Sequence, residues 1–323
     1  MNTQARVALL GFLVAVVIAM WVFSFLTKHF EKVAAGVAGL PAAEFEQLTL
    51  LALGTGGTFE NHWRRGPAVA VGLAGDVVLV DAGRGVSEAL RAAAIPVEQP
   101  RVLVLTNLDA ENVLGLDELW LTGWLRGRSE PLQLYGPPGS SALVDGLLRA
   151  LAPQADAQAR AFSLAAEGRT IEVHELSQST SFAVGQLALR AEPLGGGAQP
   201  ALAWRIEGDG HGVAVTHGSA DGDALAAAVR GATFWVAEAV YGASLERAKA
   251  ADAEGIDPLL REAESHPRLE ALGALAARSA VRSVVLVRLR PPPPFASQYE
   301  DVLADGGFHG RVHVPDDGDR LTP

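Results

Sequence analysis

Residues 102–119 read VLVLTNLDAENVLGLDEL. The segment opens as a buried β-strand, RVLVLT over 101–106, and breaks into a polar stretch from Asn107 to Asn112. It resumes as a helix from about Val113 to Arg126, because short apolar runs and then helical spacing flank the break. Upstream, LTLLAL (48–53), AVAVGL (68–73) and DVVLVD (76–81) read as buried strands, the last two joined through Ala74-Gly75 as a hairpin. VSEALRAAAI (86–95) follows a Gly-rich turn as a helix. Downstream, strands are expected at 132–135, 171–175, 181–191, 201–207, 212–216, 233–237 and 283–289. Helices are expected at 140–151, 221–230, 243–253 and 266–279. Hairpins mixed with βα units argue for α/β layers rather than one parallel sheet. No linker interrupts 48–323, and Pro291–Pro294 reads as a polyproline II segment leaving a strand.

Composition narrows the function. The chain has 323 residues, 49% of them apolar, enough for a sizeable core. Its formal charge is −11, so nucleic acid is not an expected partner: a phosphate backbone needs Lys and Arg to displace its counterions. Cysteine is absent, which removes disulfides, thiolate nucleophiles and Cys-ligated metal sites.

The N-terminus reads as a membrane anchor, with a signal peptide cleaved near the small residues of Ala34–Gly39 as the alternative. VALLGFLVAVVIAMWVFSFL, Val7 to Leu26, carries no charge over 20 residues, the length that crosses roughly 30 Å of hydrocarbon. Trp21, Phe23 and Phe25 precede Lys28, as in an interfacial aromatic belt with a snorkelling cation. The expected organisation is an anchor over 1–27, a helical stem or linker over 28–47 and a body over 48–323. Arg6 and the amine on one side nearly balance Lys28 and Lys32 on the other. The short N-terminal tail favours a body on the extracytoplasmic, periplasmic side.

Six segments, in order, resemble the metallo-β-lactamase fold, and most closely its ribonuclease Z and arylsulfatase-type branch. They are LALGTGGTFENHWRRGPAVAV (51–71), VVLVDAGRG (77–85), VLVLTNLDAENVLGLDEL (102–119), LQLYGPPGSSALVDGLL (132–148), GVAVTHGSADGDAL with ATFWVAEAVY (212–241), and HPRLEALGALAARSAVRSVVLVRLRP (266–291). The resemblance implies a four-layer αββα sandwich behind the N-terminal transmembrane helix. It also implies a two-metal hydrolase whose zinc ions sit on a His-x-His-x-Asp-His loop and activate a bridging water.

Each aligned ligand position differs here. The loop reads Asn107-Leu108-Asp109-Ala110-Glu111-Asn112, and carboxamides are poor zinc ligands. The next histidine falls at Gly195 or Gly196, the bridging aspartate at Ser219 and the last histidine at Arg288. His266 matches a non-ligand histidine that assists catalysis in ribonuclease Z-like enzymes. No metal cofactor is therefore expected. Arg288 is expected to pair with Asp109, Glu111 or both, replacing the ions as counter-charge.

The leading expectation is a catalytically degenerate subunit that binds or scaffolds a protein partner at the membrane. The alternatives are an active ester or phosphodiester hydrolase and a small-molecule sensor in the old cleft. The hydrolase would hold Mg²⁺ or Mn²⁺ on Asp109 and Glu111, or use His266 or His217 as base. Several residues keep two readings. Asp109 and Glu111 are cleft groups or solvated loop residues. His217 is a ligand, a base or a turn residue. His62, Arg64 and Arg65 form an anion-binding rim or a charged surface loop. Trp120 and Trp124, spaced i, i+4, read as packing. Gly54, Gly56 and Gly57 suggest a phosphate cradle but lack the P-loop Lys-Ser/Thr. Glu238 ends a strand with no role assigned.

Overall fold

The structure is a computed structural model that describes residues 3–58, 63–195, 199–217, 222–264, 266–290 and 295–323. The chain divides into two units, Met1–Leu40 and Pro41–Pro323. The first is a single helix, α1 (Thr3–Val37). It continues eleven residues beyond the expected span, through Lys28, Glu31 and Lys32, since nothing from Thr27 to Val37 breaks a helix. The apolar stretch Leu9–Val37 is long enough to cross a bilayer.

The second unit begins with β1 (Phe45–Gly54), β2 (Ala68–Ala74), β3 (Asp76–Val80), α2 (Val86–Ala92) and β4 (Val102–Val104). It continues with α3 (Ala110–Val113), α4 (Leu116–Leu125), β5 (Leu132–Gly136), α5 (Ser140–Phe162) and β6 (Ile171–Glu175). Then come β7 (Thr180–Val184), β8 (Leu187–Leu194), β9 (Ala201–Gly208), β10 (His211–Val215), α6 (Gly222–Val229) and β11 (Phe234–Val240). The unit closes with α7 (Gly242–Ala250), α8 (Ile256–Ala263), α9 (Leu269–Arg278), β12 (Ser283–Arg290), α10 (Ser297–Asp305), β13 (Arg311–His313) and β14 (Arg320–Leu321).

Two seven-stranded sheets result, ordered β14-β1-β2-β3-β4-β5-β6 and β13-β12-β11-β10-β9-β8-β7. Period-two alternation builds the layers. Val78, Val80, Val213, Val215, Phe234, Val236, Val285 and Val287 face the space between the sheets. Their neighbours Val77 and Leu79 face the helices of the first sheet with Leu90, Trp120 and Trp124. Ala214, Trp235, Val284 and Leu286 face those of the second with Leu272, Tyr299 and Leu303. The outcome is the αββα sandwich.

Two of the expected elements of the body change form or length. The run 181–191 is a hairpin, β7 and β8, because Gly185 adopts φ +54 and reverses the chain. The helix expected to stop at 151 continues to Phe162 through Pro153. Burial of Ala155 and packing of Ala159 against the first core offset the lost hydrogen bond. Trp120 and Trp124 are core residues, stacked at 6.5 Å. Pro291–Pro294 lie outside the described residues.

Candidate functional site: an arginine-filled cleft

β3 and β4 run parallel, as do β10, β11 and β12, so their C-terminal ends share one edge within each sheet. The chemistry-bearing side chains leave the chain at those ends. Asp81 follows β3 in the left-handed region, φ +59, which aspartate tolerates. Asn107 to Asn112 follow β4, His217 follows β10, Glu238 lies near the end of β11, His266 precedes α9, and Arg288 and Arg290 end β12.

Asp81 is buried and accepts hydrogen bonds from the Thr106 amide (2.8 Å) and hydroxyl (2.8 Å) and from Arg288 Nη2 (2.8 Å). Burial pushes its carboxyl above the ordinary range, although Arg288 and Thr106 pull the other way. Arg288 Nη1 contacts His217 Nδ1. His217 is enclosed, with Nε2 3.2 Å from Asp109 Oδ2 and 3.5 Å from Glu111 Oε1. Its Nδ1 also lies 3.3 Å from Glu238 Oε2, the same oxygen that lies 3.0 Å from His266 Nδ1. Arg290 ties two carboxylates together. Its Nη2 donates to both Glu111 oxygens (3.1 and 2.9 Å), and its Nη1 donates to Glu238 (3.2 Å).

The electrostatics follow from these partners. Asp109, half-exposed, is held below its usual range chiefly by its hydrogen bond with His217. Burial works to raise Glu111, but Arg290 and Arg288 outweigh it and keep the carboxyl low. Burial also opposes ionisation of Glu238, yet His217, His266 and Arg290 hold it well below the carboxylate range.

The expected pairing of Arg288 with Asp109 or Glu111 is corrected: Arg288 takes Asp81 and His217, and Arg290 takes Glu111. A bulge is the reason. Glu238 is opposite Val287, but Val240 is opposite Arg290, so β12 carries one extra residue there. Arg288 sits in it at φ +52, its amide donating to Thr55 O (2.8 Å), and a bulge re-aims the side chain it carries.

The other sequence-derived residues are placed as follows. Glu111 is buried rather than a solvated loop residue. Asn107 and Asn112 are linked by one bond: Asn112 Nδ2 donates to Asn107 Oδ1, and Asn107 Nδ2 donates to Asp109 (2.7 Å). Gly195 is exposed after β8, with open space around its α-carbon. Ser219, Gly196 and His62 lie outside the described residues. Arg64 and Arg65 are occupied by the chain's own carboxylates rather than forming an open anion rim. Arg64 Nη2 donates to Asp316 (2.9 Å), and the Arg65 amide donates to Asp317 Oδ2 (2.6 Å). The Gly-rich stretch is steric in origin. A Cβ on Gly54 would lie 1.8 Å from Gly66 O, so backbone packs directly on backbone.

Asp81, Glu238 and Arg290 join the site only through the fold. Glu238 had a signal: it is a lone carboxylate inside the apolar run FWVAEAV, and buried carboxylates demand partners.

Asp317 also matters for the cleft. Its Oδ1 accepts from the Thr55 amide (2.9 Å) and hydroxyl (2.8 Å), and Thr55 O in turn holds the Arg288 amide. Asp317→Asn would turn an NH₂ toward the Arg65 amide. It is expected to cost about 1–3 kcal/mol, read as a lower Tm and faster hydrogen exchange at the Arg288 amide.

The dinuclear zinc set that the resemblance implies does not fit. Asn107 Oδ1 is taken by two donors, from Asn112 and the Asp109 amide, and Arg288, where the resemblance puts the last ligand, is a cation paired with Asp81. A divalent ion would meet two buried guanidinium groups. A smaller set, His217, Glu238 and His266, offers ligand atoms all within 4.8 Å of one another.

No family model matches the chain. It is 26% identical over 281 residues to ribonuclease Z of Mycobacterium marinum, covering 85% of this chain and 98% of that one. It is 28% identical over 246 residues to ribonuclease Z of Mycobacterium sp. strain KMS, covering 74% and 83%. Among solved structures, human short-form tRNase Z superposes with a TM-score of 0.63 at 18% identity, over 85% of this chain and 98% of that one. The metallo-β-lactamase-fold protein YhfI of Bacillus subtilis gives 0.64 at 16% identity, with the same coverage. The chain therefore has the metallo-β-lactamase fold, and its sequence places it beside the ribonuclease Z branch.

Proposed function

We propose that this chain is a membrane-anchored binding protein, a catalytically degenerate relative of the hydrolases of this fold, in which two arginines take over the charge balance of metal ions. One observation carries the reading: Arg288 and Arg290 together contact Asp81, Glu111 and Glu238 at 2.8–3.2 Å, all buried. Protein cations thus neutralise carboxylates at the cleft floor, each guanidinium bridging two partners: Arg288 joins Asp81 and His217, and Arg290 joins Glu111 and Glu238. The helix containing Leu9–Val37 supplies the anchor. The partner is a protein at the membrane. The relatives' name implies RNA, but a chain of net charge −11 is a poor general binder of a long phosphate backbone.

Elemental analysis of the full chain in detergent tests this, together with bis-p-nitrophenyl phosphate hydrolysis in added Zn²⁺ or Mn²⁺. The expected result is far less than one metal per chain and no turnover above buffer. Two tightly held transition-metal ions with turnover would overturn the reading.

The proximity of His217, Glu238 and His266 favours a second role, a hydrolase holding one ion. One metal per chain, with turnover lost in His266→Ala, would establish it. Against it, Glu238 Oε2 already accepts from Arg290.

A further inference from the structure

On the helix-covered face of the second sheet, between β7–β9 and α6, lies a groove of about 580 Å³, within the range of small-ligand sites. Arg190 on β8 and Arg205 on β9 are register partners, so their side chains stand side by side on one face. Like charges directly opposite destabilise a strand pair. Each has a glutamate on its own strand: Arg190 pairs with Glu192, and Arg205 with Glu207 at 2.9 Å. The register sets those carboxylates at opposite ends, Glu192 opposite Ala203 and Glu207 opposite Ala188. The two guanidinium-bearing positions are left adjacent between them.

A third arginine, Arg230, lines the same groove from the end of α6. Its carbonyl accepts from Arg205 Nη1 (3.0 Å), and among the described residues no hydrogen bond or ion pair engages its guanidinium. Three arginines therefore face two glutamates in a chain whose overall charge is −11. The opposite wall is Ala224, Ala227 and Ala228, whose small side chains keep the groove open.

We propose that this groove binds a phosphate monoester, with the phosphate among Arg190, Arg205 and Arg230 and the organic part along the alanine wall. Guanidinium groups from three elements suit a dianion with three terminal oxygens, whereas a carboxylate fills only one fork. The site shares none of its residues with the arginine-filled cleft, so its failure and that of the cleft reading are distinguishable.

The test follows thermal unfolding of the full chain in detergent against inorganic phosphate, AMP and acetate, at ionic strength fixed with NaCl. Phosphate and AMP are expected to raise Tm saturably, AMP at lower concentration, and acetate not to do so. Arg230→Gln, an exposed position whose structural bond is made by backbone alone, should weaken the phosphate midpoint about tenfold, the equivalent of one lost charge-assisted contact. Arg169→Gln, on the other sheet's helical face, should leave it unchanged. No saturable rise, or an equal response in Arg230→Gln, would overturn the proposal.

Discussion

Replacing Arg288 by leucine is expected to lower the melting temperature of the body by on the order of 10 °C, equivalent to about 3–5 kcal/mol. Asp81 is fully enclosed, and Arg288 is its close ionic partner at 2.8 Å. Without that partner the carboxylate is a buried charge lacking compensation, or must take a proton. The backbone contributes little to the difference, because arginine and leucine both carry a Cβ and both pay for the left-handed φ of +52. Adding Asp81→Asn should recover much of the loss, since asparagine tolerates φ +59, keeps an acceptor for Thr106 and removes the charge. A single variant that melts with the parent, or a double variant no better than the single, would show that the pair does not hold the cleft floor.

Glu238→Gln is expected to cost about 3 kcal/mol at neutral pH and much less in acid. Asp109, Glu111 and Glu238 all titrate below their ordinary values in the folded chain. Their stabilisation is complete above the unfolded carboxylate range, near 3.8 for Asp and 4.5 for Glu. It disappears as pH falls through the lower folded values, where the unfolded chain binds more protons. Asp81 has the opposite sign: its raised value makes the folded state the better proton acceptor, which partly offsets the loss. The gap in Tm between parent and Glu238→Gln should therefore narrow steadily as pH drops below about 4.5. A gap independent of pH would mean that shape, not charge, is what glutamine fails to supply.

Strand and helix order was legible because the runs 68–73, 76–81 and 101–106 carry their apolar residues in continuous blocks, the mark of sheets covered on both faces. The edge of the cleft was legible in part. A polar break after an apolar strand drew attention to Asn107–Asn112, and the same order of segments led to His266. Which arginine meets which acid was not legible. That depends on one extra residue in β12, and a bulge leaves no mark in residue type when arginine, rather than glycine, occupies the left-handed position. Short elements such as α8, α10 and β14 also escaped, since brief polar segments gain their structure from tertiary contacts rather than from local preference.

Thr55 and Asp317 are separated by 262 residues, and β1 has β14 as its neighbour through Leu50 and Leu321. During synthesis the hydrophobic helix emerges ahead of the body, almost all of which is then still unmade. The first sheet then waits with an open border until the final strand leaves the ribosome, for tens of seconds at about 5–20 residues per second. That interval is when the nascent chain is most exposed to wrong pairing, and when a chaperone would have most to protect.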